Sequence, residues 1–524
     1  MCGIALLVGA GADDRCEAFA EMMTAIAPRG ESQEIDARAD ALLGTARLKI
    51  VDREHAVQPW SSADDRWALC YNGELYNHNE LRGELHAQGR STTSVSDTEV
   101  VLESFLIWGQ DALTKFRGEF AFAVLDRPTG RVFLARDPVG VKPLYWAREG
   151  GLLYVGSEVK TFTRLGLTTQ VQEVPPGHCG WVAPDADAVL APYIDLLALG
   201  EGEPMITDLD QAKEAVRRTL RQAVARRVDT DLPVGVVLSG GLDSSLTLLL
   251  AQQLHPSVVA FTVGTPDSPD VAYASRLTAD LGVPHEIVEL APGDVGLRDV
   301  REAVRMSELT EYGDVINAVV SIEVFRRVQE RGIKVVLTGD GSDELFGGYP
   351  MYSDIEPGQT RALFRQKIRQ LSRTELQRVD RTSMGQQVEA RVPFLDLDLL
   401  LLSMRIPMRF KVHRGVEKWI IREAHKDLLP DYIYERSKNP MSYSSGLHER
   451  VRLFRSLMPR MYRSYGYTVH ASMRRDFDAT LARYQYDLMR AVEASEAQED
   501  YTFFEHAKDF AGAVKWNLRR VMGA

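Results

Sequence analysis

The chain has 524 residues, 45% apolar and 26% charged, the makeup of ordinary globular material; at ~100–200 residues per domain it divides into two to four domains. Its formal charge of -12, with both signs interspersed, excludes the basic footprint of a nucleic-acid binder or of an anchor for anionic membrane. No apolar stretch reaches the ~18 residues of a membrane span, the N-terminus lacks a basic leader region, and the four cysteines (Cys2, Cys16, Cys70, Cys179) have neither disulfide-framework nor zinc spacing, so a cytoplasmic protein is expected.

The chain opens with MCGIALLVG. Removal of Met1 would leave Cys2 with its thiol and a free α-amine on one carbon. At this point it reads equally as a reactive centre or as the start of a buried strand. GIALLVG, ALLGTARLKIV and RWALCYNGELYN are strand-like, and FAFAVLD-RPTG-RVFLARD and KPLYWAR-EGG-LLYVGSE read as hairpins. NELRGELHAQG and SDTEVVLESFLIWG carry helical patterns, the second with a Ser or Asp cap. Hairpins covered by helices predict an α+β sandwich over residues 2–183. From Pro184 to Asp208 the periodicity fades and Pro, Gly and acids collect, as in a linker.

Residues 209–524 change grammar. The amphipathic helix DLDQAKEAVRRTLRQAVARRV leads into the strand PVGVVL, a glycine turn, the helix SSLTLLLAQQL, and the strands SVVAFTVG, HEIVEL and IKVVLTG. This order predicts an α/β doubly wound parallel sheet, with a mostly helical part beyond residue 350 and ligands bound where strands end. The turn SGGLDSS lies between strand and helix, where glycines let backbone amides approach an anion. It lacks the Walker pattern, and it reads as a phosphate cradle or as a plain tight turn. Asp243 within it makes sense beside phosphate if magnesium bridges them. LTGDGSDELFGGY is a second strand end rich in acids, either a partner for that site or a solvated acidic loop.

MCGI, YNGELYNH, SDTEV, LSGGLDSS, GDGSDELFGGY and EARVPFLD stand in the order found in glutamine-hydrolysing asparagine synthetases, and the chain resembles that family along nearly its whole length. The resemblance implies an N-terminal nucleophile glutaminase joined to an ATP-pyrophosphatase that adenylates a carboxylate, with ATP and magnesium as cofactors. It also implies a dry passage for ammonia between the two, and it is compatible with a homodimer. Cys2 then becomes the nucleophile, activated by its own α-amine. Asn72 and the backbone N–H of Gly73 match the oxyanion hole; Arg47, Glu74 and Asp97 match the residues that hold glutamine. Ser239, Gly240, Gly241, Ser244 and Ser245 match the pyrophosphate cradle, Asp243 and Asp343 the magnesium ligands, and Leu238, Val263, Thr338 and Gly339 the ATP contacts. Lys438 matches a lysine that neutralises charge on the adenylate.

Three departures stand out. APRGES lacks the family's Pro-Asp after Arg-Gly; Asp340 in GDGSDE replaces a glutamate near the acceptor; and NPMSYSSG replaces a shorter, acid-containing segment. The last two fall around the acceptor, so the expected function is glutamine-dependent, ATP-dependent amidation of a carboxylate. Aspartate is the family's default acceptor and a carboxylate of specialised metabolism the alternative. An inert nucleotide or glutamine sensor is disfavoured because Cys2 and Asp243 both stand. A bare glutaminase is disfavoured by the intact SGGLDSS, and an ATP-dependent cyclase by the intact Cys2.

Overall fold

The first strand, Cys2–Val8, is buried at all seven positions, as an uninterrupted apolar run requires when a strand is covered on both faces. It pairs antiparallel with Ala41–Arg47 on one side and with Leu152–Gly156 on the other. The computed structural model describes residues 1–437, except 168–169, 197, 200–203, 310–311, 350–351 and 353–359, together with Leu447, Val451 and Phe454. Two six-stranded sheets make up the N-terminal half. Ile4, Leu6 and Leu43 of one meet Cys70, Ala121 and Leu125 of the other in a shared apolar layer. The helix Cys16–Ile26 covers the outer face of the first sheet, and His78–Ala87 and Asp97–Trp108 cover that of the second. This is the expected α+β sandwich. Both hairpins form where their turn chemistry places them, as Gly118–Asp126 with Arg131–Arg136 and Tyr145–Glu149 with Leu152–Gly156.

The C-terminal half is built on a five-stranded sheet whose ladders are all parallel. Val234–Val237 lies at its centre between Val258–Val263 and Val335–Leu337. The described chain beyond residue 359 is mostly helical, as expected. Two strands escape the sequence pattern. Ser32–Arg38 is an edge strand with hardly an apolar residue, held by its ladder to Ala41–Arg47. Glu389–Arg391, charged at both ends, is the fifth strand of the parallel sheet. The segment read as a linker also begins with structure, since Val189–Pro192 pairs with His178–Val182. Among the described residues no helix is long and apolar enough to cross a membrane.

The halves meet across a seam of buried charge. Arg29 contacts Asp380 at 2.8 Å, Lys142 contacts Asp380 at 3.3 Å, and Arg227 contacts Glu119 at 3.1 Å. Glu31, in the APRGES departure, bridges the halves at the exposed edge of this seam, accepting from Lys334 Nζ at 2.8 Å and from the backbone N–H of Lys49.

Candidate active sites

Strand register places the first site. Cys2 lies opposite Arg47 at the end of their ladder, and Asn72, Gly73 and Glu74 follow one another on the neighbouring strand Trp67–Leu75. Asp97 opens the helix Asp97–Trp108, whose Ser96 cap accepts from Thr98 N, and its carboxylate accepts from Leu75 N at 3.1 Å. Cys2, Arg47, Gly73, Glu74 and Asp97 line one cavity of about 20 Å³ with Met1 in its wall. Asn72 stands behind Cys2: its Oδ1 accepts from Cys2 N at 3.1 Å, while its buried Nδ2 has no hydrogen-bond partner. Arg47 donates to the carbonyls of Val51 and Asp52, pinning the loop beside the cavity.

The electrostatics fit a chain that still carries Met1. Burial pushes the Cys2 thiol up, against the pull of the α-ammonium and Arg47, so the thiol stays protonated. The Met1 α-ammonium is itself buried and lies 3.1 Å from Glu389 of the other half. Burial opposes its charge, but the carboxylates of Glu389 and Glu74 prevail and its pKa is raised. Burial pushes Glu74 up to about 8, with Glu389 and Asp97 adding to the rise and Arg391 opposing it.

The second site is a cavity of about 310 Å³ at the ends of the parallel strands. Leu238, Ser239, Gly241, Asp243, Ser244, Val263, Thr338, Gly339, Asp340 and Asp343 all line it. The turn is held by its own hydroxyls: Ser239 N donates to Ser244 Oγ at 3.1 Å, and Gly241 N to Ser239 Oγ at 3.3 Å. Gly240 does not line the cavity; its φ of 66° and the backbone of Ala274, which an added Cβ would meet at 2.9 Å, demand glycine. Ser245 is fully buried behind the turn, its hydroxyl without a partner. Lys438 lies outside the described residues.

Asp243 and Asp343 converge on one cation, the ammonium of Lys418, which contacts Asp243 and lies 2.6 Å from Asp343. Burial disfavours that ammonium, but the two carboxylates outweigh it and the Lys418 pKa is raised. A seat that already draws a positive charge between two carboxylates fits a divalent ion. Among the described residues no group of three acidic, His or Cys side chains surrounds it. The remaining positions around magnesium would therefore fall to phosphate oxygens and water, its usual company.

The sequence did not announce several residues of these sites. Lys418 sits at φ 52°, a strained conformation for a side-chain-bearing residue, and a lone lysine before a short helix carries no motif. Gln58 Nε2 lies 3.8 Å from Cys2 Sγ, and Arg29 Nε donates to the carbonyl of Cys2 at 3.1 Å. Arg378, on the buried helix Glu375–Met384, donates to Asp340 Oδ1 at 2.6 Å and to Ser321 Oγ at 2.9 Å. In that helix polar side chains serve the interior, which amphipathic pattern cannot reveal.

Comparison with known proteins gives the family of both halves. Residues 1–179 match the glutamine amidotransferase domain family, and residues 215–362 and 356–498 match the asparagine synthase family. Asparagine synthetase B [glutamine-hydrolyzing] of Escherichia coli K12 is 32% identical over 432 residues, covering 79% of this chain and 76% of that protein. Asparagine synthetase [glutamine-hydrolyzing] 3 of Bacillus subtilis 168 is 29% identical, covering 79% of this chain and 83% of its own. Among solved structures, a glutamine phosphoribosylpyrophosphate amidotransferase from B. subtilis aligns with a TM-score of 0.33 at 17% identity, over 64% of this chain and 81% of its own, too loosely to place any residue. With both catalytic halves matched in order and a relative at 32% identity over most of the chain, the protein belongs to the glutamine-hydrolysing asparagine synthetase family.

Proposed function

We propose that Cys2, freed of Met1, hydrolyses glutamine, and that the ammonia released amidates a carboxylate activated by ATP in the cavity around Asp243 and Asp343. The chain is a carbon–nitrogen ligase with glutamine as nitrogen donor. The observation that carries the residue assignment is Asn72. One end of its amide fixes the nucleophile's backbone and the other is an unpartnered buried donor, as a developing oxyanion needs. In this reading the thiolate attacks the side-chain carbonyl of glutamine, its proton passing by way of the α-amine to the departing ammonia, and water cleaves the thioester to glutamate. Arg47 pairs with the α-carboxylate of glutamine, and Glu74 and Asp97 receive its α-ammonium.

In the second site an acceptor carboxylate oxygen attacks the α-phosphorus of ATP, the bond to pyrophosphate breaks, and ammonia displaces AMP from the acyl-adenylate. Ser239, Gly241 and Ser244 cradle the phosphates. Magnesium on Asp243 and Asp343 would neutralise the charge that develops on them. Residues 2–183 and 209–524 carry the two activities, in a cytoplasmic protein.

Aspartate is the family's default acceptor. A different carboxylate is favoured by Asp340, which stands where the family has glutamate and is drawn onto Arg378 at 2.6 Å. That guanidinium gives one Nη to Asp340 and the other to Ser321, which alters what it offers the acceptor. The test is AMP release with aspartate set beside a panel of monocarboxylic and dicarboxylic acids. Efficient conversion of aspartate to asparagine would end the alternative.

A further inference from the structure

We infer that Arg391, supplied by the ATP-pyrophosphatase half, is a positioning residue of the glutamine site, where its guanidinium sets the orientation and charge of Glu74. The inference rests on the reading of Glu74 as receiver of the glutamine α-ammonium.

Glu389 and Arg391 are two apart on one strand, so both side chains leave the same face of the parallel sheet, here toward the glutaminase. Both are completely buried. Arg391 Nε donates to Glu389 Oε1 at 2.5 Å, and Nη1 donates to the carbonyl of Arg227 at 2.8 Å. Nη2 is different. It is buried, makes no hydrogen bond, and lies 3.5 Å from Glu74 Oε1. A buried guanidinium nitrogen left without a hydrogen bond is costly, so an interface built for stability alone would satisfy it.

The surroundings of Glu74 explain what that nitrogen does. The charged and titratable groups around it are Glu389, Asp97, the Met1 α-ammonium, Arg391 and Tyr71, with Cys2 and Arg47 lining the same cavity. Burial and the two neighbouring carboxylates push Glu74 toward its neutral form, which cannot pair with an ammonium. When Met1 is excised its α-ammonium leaves the Glu389 contact and the chain end becomes Cys2, while Arg391, fixed by Glu389 and the carbonyl of Arg227, stays beside Glu74 and favours the carboxylate. The synthetase half thus completes a substrate site that sequence motifs assign wholly to the glutaminase.

The test uses the full chain lacking Met1 and two reagents for Cys2. 6-Diazo-5-oxo-L-norleucine carries the α-ammonium and α-carboxylate of glutamine; iodoacetamide carries neither. Arg391→Met should raise the half-saturating concentration of the diazo compound about tenfold near neutral pH, one unit of carboxyl ionisation. The deficit should shrink as pH rises past about 8, and iodoacetamide should label Cys2 at the wild-type rate. Arg391→Lys, which keeps the charge, should show a smaller rise of the same kind. Equal slowing of both reagents, or no change in either, overturns the inference. If Arg391→Met fails to fold, Arg391→Lys decides by the same comparison of reagents. Glu74→Gln is measured alongside. If it leaves binding of the diazo compound intact, the reading of Glu74 fails and the inference with it; if it weakens binding while Arg391→Met does not, the role of Arg391 alone is refuted.

Discussion

Asp380 receives two hydrogen bonds from Arg29, at 2.8 and 3.2 Å, across 351 residues of chain and a seam closed to solvent. The same guanidinium holds the carbonyl of Cys2, so a residue of the C-terminal half takes part in fixing the backbone of Cys2. Asp380→Ala should destabilise the protein by about 3–5 kcal/mol, because Arg29 and Lys142 would be left buried beside a missing partner. Calorimetry should show the transition several degrees lower; an unchanged transition would mean that water enters the seam.

Acid should act through the same carboxylate. Burial works against the charge of Asp380, yet Arg29 and Lys142 outweigh it and its pKa is lowered. A lowered carboxyl contributes stability that is present above the unfolded value of about 3.9 and lost as pH falls through the folded value. Wild-type stability should therefore fall more steeply than that of Asp380→Asn below about pH 4. Parallel curves in acid would remove Asp380 from the account.

Cys2→Ala should abolish use of glutamine and spare amidation with added ammonia, because the adenylating cavity lies in the other half. Intact mass of the active protein should show Met1 absent. Normal glutaminase activity in a chain that retains Met1 would sink the α-amine mechanism.

Asp243→Asn or Asp343→Asn should stop pyrophosphate release at any ammonia concentration and leave basal glutaminase in place. Pyrophosphate formed at the wild-type rate by either variant would show that the metal seat lies elsewhere.

Lys418→Met probes the same seat from the cation's side. Without the ammonium, Asp243 and Asp343 face each other uncompensated, so the variant should melt earlier in chelator than the wild type. Added magnesium should raise its melting temperature by more, since no lysine has to be displaced. Equal magnesium shifts in the two proteins would separate Lys418 from the metal site.

What the sequence displayed was what local rules govern. Apolar runs and turn chemistry placed the strand Cys2–Val8 and both hairpins, and the glycine turn before Leu242–Leu254 marked a wall of the cavity at the strand ends. Ser32–Arg38 was invisible because a polar edge strand is held by its ladder and not by its own pattern. Glu389–Arg391 was invisible because its buried charges, besides pairing with each other, are matched by residues far away in the chain, Met1, Glu74 and Arg227. The same holds for Arg378 and Lys418, whose partners lie 38 and 175 residues away. Charge that is satisfied at long range looks like surface charge until the fold is known.

The burial of Met1 has a consequence for when the enzyme can mature. In the closed protein its side chain is packed among Leu48, Ile50, Val335 and Met384, and its ammonium is sealed against Glu389. An aminopeptidase works on a free chain end, and this end is buried, its carbonyl accepting from Leu48 N at 3.0 Å. On the reading that Cys2 acts as the first residue, excision belongs to the nascent chain. The N-terminal half leaves the ribosome first, and the residues that trap Met1 from the other side, Val335, Met384 and Glu389, are made more than 300 residues later. Translation itself supplies the interval. A chain whose first residue resists removal during that interval would close over it and keep it, folded and without a working nucleophile.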